Sequence, residues 1–479
     1  MFKYLLKRLF LFLPTLLVIS LVAFALSKLA PGDPVELLLK GQGGAESNQE
    51  ARSGRYEEVA KRLNLDLPNF YCALTSAAYP DTLHKVAKKI ERETLSNLIG
   101  QYGNWPQIAE YYNALRNLEI KAAQLPNNPA DSALYTQRNT LLRNTKELLI
   151  THKDNLRKLG IESLQTLLND TIITDTQTKT AINEVIQANT NMLQKTTPQK
   201  HYYPALHWYG LNNQYHKWIS AFFVGDFGTS YMDSRPVASK IWDALRWTLL
   251  INVISILLAY LIAIPIGVTT AIKKDTAYDR IVTTSLFMLY SLPNFWIGTM
   301  LIVFLTTAEY SPFLDWFPTG GITDLPKSTP FFTRFADILY HLILPIFCVT
   351  YGSFAFISRQ MRGGMLTVIR QDYIRTAYAK GLEQKAITWK HAFRNSLFPI
   401  ITLFAYIFPA AIAGAVTIEV IYSIPGMGKL AIDSISARDW PVVFTILMFA
   451  AILTMIGNLV ADILYAFADP RVSYGGKGK

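Results

Sequence analysis

Six stretches of this chain are each long and apolar enough to cross a lipid bilayer, and that constrains the fold more than any other feature. They run Leu9 to Ala30, Leu249 to Ile272, Ile281 to Thr307, Leu339 to Ile357, Leu397 to Ile424 and Val442 to Phe467. About 20 mostly apolar residues span roughly 30 Å of hydrocarbon. Lipid offers no partner to a backbone N–H or C=O, so each stretch is predicted to be a helix. The 479 residues are 51% hydrophobic and 17% charged, and the gathering of the apolar residues into blocks sets the class. The expectation is an all-α membrane protein with six transmembrane helices.

Orientation follows from Lys and Arg, which concentrate in cytoplasmic connections. Lys3, Lys7 and Arg8 precede the first stretch, and Lys273, Lys274 and Arg280 follow the second. The fourth connection carries Arg359, Arg362, Arg370, Arg375, Lys380, Lys385, Lys390 and Arg394 against only Asp372 and Glu383, and the tail carries Arg471, Lys477 and Lys479. Six spans put all of these on one side, so both termini are expected in the cytoplasm. The loop after the third stretch, with Glu309, Asp315, Asp324 and Asp337 against Lys327 and Arg334, falls outside. The net charge of +11 thus reports topology rather than nucleic-acid binding. Cys72 and Cys348 fall on different levels of the membrane and form no disulfide, metal or redox pattern. Lys3, Lys7 and Arg8 followed by Ala23-Phe24-Ala25 also fit a cleavable signal. The apolar run continues through that triplet, and the stretch is read as a retained span.

Between Gly41 and Trp247 the chain turns polar for roughly 200 residues, too long for a structureless loop. Ile108, Tyr111, Tyr112, Leu115 and Leu118 recur at helical steps, and Tyr135, Leu142, Leu149 and Leu156 recur every seven residues. Ile182, Val185, Ile186 and Leu193 form a third stripe, and Pro106, Pro126, Pro129, Gly160 and Pro198 are read as breaks between helices. A helical hairpin or small bundle is expected. The stripes fit its own core or a docking surface for a partner.

Two short motifs stand apart. Asp372 to Pro399 is a polar, basic, helix-prone island between apolar segments, with Arg375-Thr376-Ala377, Gly381, His391, Asn395 and Pro399 at set spacing. A basic segment lying on anionic lipid would account for its charge but not for that order of residues. Ile421 to Leu430, reading IYSIPGMGKL, superficially resembles a phosphate-binding loop. Such a loop needs Gly five residues before Gly-Lys and Ser or Thr after it; here Ser423 and Leu430 occupy those places. The chain therefore has no ATP site of its own. The histidines show no ligand spacing, no catalytic Ser, Cys or carboxylate set is present, and no bound cofactor or metal is expected.

The ordered island resembles the cytoplasmic ATPase-docking loop of bacterial ABC importer permeases, closest to the dipeptide, oligopeptide and nickel family. The likeness covers roughly residues 1 to 40 and 205 to 474. Ala30-Pro31-Gly32-Asp33-Pro34, Asn64 to Pro68, Gly225 to Ser230 with Arg235-Pro236-Val237, and Asp469-Pro470-Arg471 look like the family's short motifs; nothing familiar lies between about 71 and 201. The resemblance implies three parts. Residues 1–40 are the first transmembrane helix and the start of the outer loop, 41–204 an extracytoplasmic segment with a helical insertion (about 71–201), and 205–479 a type I permease core.

In that core the docking loop covers about 359–396. Arg375, Thr376, Ala377, Gly381, His391 and Asn395 would meet the ATPase. Ala377 and Ala379 would give a small surface and Gly381 the helix break, while Leu366, Ile369, Tyr373 and Ile374 hold the segment to the bundle. Pro425, Gly426 and Gly428 would form a tight turn at the outer mouth. Glu419 and Asp462 occupy places where the family carries acids. Asn252 and Asn294 are candidate pathway residues. Implied partners are a second permease in a heterodimer, two ATPase subunits carrying ATP and Mg, an extracytoplasmic solute-binding protein and lipid. The implied location is the bacterial inner membrane, and the implied mechanism alternating access. The rivals are an ion-coupled secondary transporter, which would place ionisable groups near the midplane, and a non-transporting receptor or assembly platform.

Overall fold

The computed structural model describes residues 2–29, 31–41, 49–126, 132–169, 175–307, 314–397, 399–401, 403–404 and 415–468. Part of the fifth predicted span (398, 402 and 405–414), Gln42 to Gly44, Pro129, Glu309, Asp469-Pro470-Arg471, Lys477 and Lys479 lie outside the described residues. Two compact units are present: one of 1–30 with 225–479, the other Pro31–Val224. Almost all regular structure is helical, as expected.

The chain opens with α1 (Phe2–Leu29), in the first unit. The second unit begins with α2 (Pro34–Gly41) and α3 (Gln49–Arg62). Asp33 joins them: one carboxylate oxygen caps α2 through the Val35 N–H (2.9 Å) and the other accepts from Tyr56 Oη (2.5 Å). Next comes β1 (Cys72–Ser76), which pairs antiparallel with β2 (Pro204–Trp208), Leu74 opposite Leu206. This ribbon was not expected from the sequence. It joins the two ends of the helical segment, as a chain leaving and re-entering one place requires.

Between the strands lie α4 (Lys89–Tyr102), α5 (Trp105–Gln124), α6 (Ser132–Ile150), α7 (Asp154–Asn169) and α8 (Thr176–Gln194). Ile108, Tyr111, Leu115 and Leu118 on α5 and Ile182 and Val185 on α8 are buried together with Leu95, Leu141 and Leu164. These two stripes are thus the core of the bundle. The third differs. Leu149 is buried but Leu156 is 53% exposed, because the chain leaves the helix at residues 151–153 and α7 starts in a new phase. The inward face of α6 is Arg138, Leu141, Thr145 and Leu148. Leu193, also expected inside, is 44% exposed, and Met192 takes the inward place. Gly160 is not a break: it lies inside α7, where an added Cβ would come within 2.7 Å of Leu148 Cδ2. Glu91, almost fully buried, is neutralised by Arg116 at 2.9 Å and accepts from Tyr112 Oη at 2.8 Å. Burial, with Glu91 beside it, pushes the Tyr112 hydroxyl up to about 12, so it stays protonated and donates.

Gly103 ends α4 at φ +69°, and a Cβ there would lie 2.3 Å from the Thr197 carbonyl oxygen. Gly103→Ala therefore combines left-handed strain with a backbone clash. We expect about 2–3 kcal/mol of destabilisation or more, read as earlier loss of the bundle's helical signal on heating. An unchanged melting profile would mean that the α4 terminus is not held against residues 197–198. The unit closes with α9 (Gln214–Phe223).

The first unit resumes with α10 (Val237–Ile272), α11 (Ala277–Ser291), α12 (Asn294–Leu305) and α13 (Phe331–Ile369). α1, α10, α13 and the last long helix below are long and apolar enough to cross a membrane. The third stretch is not one straight helix, for α11 and α12 meet at 89°. Pro293 cannot donate to the ladder, and the Leu292 carbonyl freed there accepts from Tyr351 Oη at 2.9 Å. α10 and α13 form the central pair. Ala259, Ala263, Gly267 and Ala271 put a small residue at every fourth position of α10, all buried. At Gly267 an added Cβ would lie 2.5 Å from the Ser358 carbonyl oxygen and 2.6 Å from Met361 Cβ. Small residues that let backbones touch are how helices associate in lipid, where apolar burial between helices gains little.

Then follow α14 (Asp372–Ala379), α15 (Gln384–Ala386), a π-helical turn (Ile387–Ala392), α16 (Phe393–Ser396), α17 (Val416–Ile421), α18 (Met427–Ser436) and α19 (Trp440–Ala468). α1 packs along α19, and Arg8 pairs with Asp462.

Candidate functional site

The island expected to dock an ATPase is a helix, a turn and a second helix. α14 stops at Ala379, Gly381 takes φ +70°, and the chain re-enters helix at Gln384. An added Cβ at Gly381 meets nothing within 4 Å, so glycine is needed there for its backbone angle and not for space. Ile374, Ala377, Ile387 and Ala392 are buried in one cluster with Met361 and Met365 of α13. Gly364 lets the second helix approach, an added Cβ lying 3.0 Å from the Ser396 carbonyl oxygen.

This corrects one expectation: Ala377 is 8% exposed and faces the bundle, so only Ala379 offers a small outward surface. Of the anchoring residues, Leu366 and Ile369 are packed against the cluster and Ile374 is buried in it. Tyr373 is 45% exposed, and its hydroxyl accepts from Asn395 Nδ2 at 2.7 Å, tying the two helices together. Arg375, Thr376, Gly381 and Asn395 are exposed and His391 is half-buried. Arg375 and Asp372 lie 3.6 Å apart on the open surface, where an ion pair adds little.

An open groove of about 540 Å³ runs beside these residues, lined by Glu383, Lys385, Ala386, Trp389 and Lys390. Trp389 is 43% exposed. Sequence reasoning missed it, although a tryptophan inside a polar island was a readable signal.

The turn expected at the outer mouth is built around Glu419, which is 2% exposed. Its Oε1 accepts from Thr248 Oγ1 at 2.8 Å, and its Oε2 accepts from the N–H groups of Gly428 (2.7 Å) and Lys429 (3.1 Å). Those amides open α18, where a helix has unpaired donors and a partial positive charge. Thr248 in turn accepts from the Met427 N–H at 2.8 Å. Cβ atoms on Gly426 and Gly428 would lie 2.5 Å from the Glu419 carboxyl carbon and 2.6 Å from Val416 Cα. The Pro-Gly-x-Gly pattern is thus a backbone wrapped on a carboxylate.

Asp439 plays a similar part, accepting from Ser230 Oγ (2.5 Å) and the Tyr231 N–H (2.8 Å), so it holds the segment ahead of α10. Asp279 receives a bidentate Arg362 at 3.1 and 2.6 Å, locking α11 to α13. Asn252 is buried and donates within its own helix to the Thr248 carbonyl, whereas Asn294 is exposed at the α11–α12 break.

Residues 263–474 match the family model described as binding-protein-dependent transport system inner membrane component. The chain is 42% identical over 271 residues to the oligopeptide transport system permease protein AppB of Bacillus subtilis (strain 168), covering 56% of this chain and 83% of that protein. It is 35% identical over 298 residues to the di/tripeptide transport system permease protein DppB of Pseudomonas aeruginosa (strain UCBPP-PA14), covering 58% and 87%. It is 31% identical over 269 residues to the inner membrane ABC transporter permease protein YejB of Escherichia coli O157:H7, covering 56% and 73%.

Proposed function

This chain belongs to the peptide-type ABC importer permeases, multi-pass inner-membrane subunits without catalysis of their own, and on that premise we propose that it forms one half of a peptide pathway. The other half is a second permease. Two ATPase subunits, carrying ATP and Mg, seat on the island around Gly381, and an extracytoplasmic binding protein delivers the solute. Both termini are cytoplasmic, and closure of the ATPases drives alternating access.

The observation that carries this reading is the surface helix pair turned at Gly381. Its inner faces are fixed to α13 and its outer faces, with Arg375, Thr376 and Trp389, are uncovered. Among the described residues, the two carboxylates singled out in the spans are both engaged, Glu419 by the turn at 426–429 and Asp462 by Arg8.

The native complex, solubilised in mild detergent and weighed intact, should contain a second permease and two ATPase chains. In a Cys72→Ser background, a cysteine at Lys380, which is exposed beside the turn, should react with impermeant maleimide only from the cytoplasmic side. Isolation without any ATPase, or labelling from outside, would end this assignment.

A further inference from the structure

One face of the β1–β2 ribbon is apolar and open. Cys72, Leu74, Leu206 and Trp208 point the same way along the two strands, as alternate residues must, with Leu74 opposite Leu206 and Cys72 opposite Trp208. Leu74 is 76%, Leu206 70% and Trp208 74% exposed, and Tyr202 just before β2 is 86% exposed. Cys72 is exposed too. The opposite face, Ala73, Thr75, Ala205 and His207, is partly covered, with His207 stacked on Tyr209. So much contiguous apolar surface on one side marks a contact site.

Its composition identifies the occupant. From Lys195 to Gly225 there are three lysines and no Asp or Glu, and from Asn69 to Pro80 no charged residue at all. Lys195 and Lys200, next to the ribbon in sequence, are exposed. Leucines for depth, Tyr and Trp with one wet end, and basic residues without acids are what the headgroup layer of an anionic bilayer selects. The chain also continues from this unit directly into membrane-spanning helices: α1 ends at Leu29, just before the unit's first residue, Pro31. We propose that this ribbon face is a lipid anchor, seated in the interfacial layer of the bilayer through Leu74, Leu206, Trp208 and Tyr202, with Lys195 and Lys200 against anionic headgroups. The anchor is a property of this chain and needs none of the proposed partners.

Cys72 provides a native reporter on the face itself, since the chain's other cysteine, Cys348, is buried. The full chain is placed in nanodiscs of phosphatidylcholine with or without phosphatidylglycerol, where both leaflets are open to solution, and Cys72 carries bimane. Spin-labelled headgroup or shallow acyl lipids should quench the label, on the order of twofold more strongly in the anionic discs. Aqueous iodide should quench it weakly. Leu206→Glu with Trp208→Glu should reverse that order while leaving the helical circular dichroism unchanged, and Lys195→Glu with Lys200→Glu should remove the preference for anionic discs.

Strong iodide quenching with no response to spin-labelled lipid overturns the proposal. So does shielding that develops only on adding the purified binding protein, which would make the face a protein dock. Shielding that grows with the concentration of discs assigns it to a second copy and equally overturns it.

Discussion

Gly381→Trp will leave the permease inserted in the membrane and abolish the ATP hydrolysis that binding protein and solute stimulate in the reconstituted complex. Two effects act at once. Glycine's φ of +70° is a conformation that costs other L-residues about 1–2 kcal/mol, which unsettles the turn between α14 and α15. The indole also projects into open space, where an added Cβ meets no part of this chain, so its bulk falls on whatever docks there. A loss of about 1.4 kcal/mol in docking already lowers occupancy tenfold at limiting ATPase, and the bulky ring should exceed that. Gly381→Asn separates the causes: asparagine tolerates left-handed backbone, so it should keep most of the stimulated activity. Normal hydrolysis in the tryptophan complex would remove the docking role from this turn.

Glu419→Ala will undo the outer turn. The carboxylate accepts from two backbone N–H groups and from Thr248, and its removal leaves all three donors without an acceptor. A buried donor left without an acceptor typically costs about 1–3 kcal/mol. The loss should lower thermal stability, open residues 419–430 to limited proteolysis and stop solute uptake. Glu419→Gln keeps an acceptor oxygen and should lose less. Gly428→Ala should resemble the alanine variant at Glu419, since its Cβ would lie 2.6 Å from Val416 Cα. An alanine variant with native stability and native uptake would show that the carboxylate is incidental to the turn.

Hydropathy made α1, α10, α13 and α19 legible because it sums over whole helices. The same summation hid the bend at Pro293: both arms are apolar, so the window from Ile281 to Thr307 reads as continuous, although Ser291-Leu292-Pro293-Asn294 carries the signal of a break. The stripe at Ala259, Ala263, Gly267 and Ala271 was likewise in plain view, yet small residues vanish in a hydrophobicity average. In the bundle, the heptad from Tyr135 to Leu156 failed because periodicity assumes one helix and the chain leaves it at residues 151–153. At the island, spacing located the turn at Gly381 but could not tell the outward Ala379 from the inward Ala377. That distinction depends on how α14 meets Met361 and Met365. Glu419 and the two glycines were each noticed in the sequence, but a contact between residues seven and nine positions apart across a turn is visible only once the backbone has closed.

α13 has 39 residues, about 58 Å at 1.5 Å per residue, and its helix continues through Pro345. Its N-terminal end is tied to the loop that follows α12, where Asp337 accepts from Thr323 Oγ1 at 2.5 Å and His341 lies 3.4 Å from Asp324. Its C-terminal end is packed into the island. α10 is packed beside it at both levels, Ile251 in one cluster with Leu342 and Ile346, Ala263 and Val268 in another with Ile357 and Met361. One helix of about eleven turns therefore joins the loop after α12 to the island, and a shift of that helix along its axis would carry both.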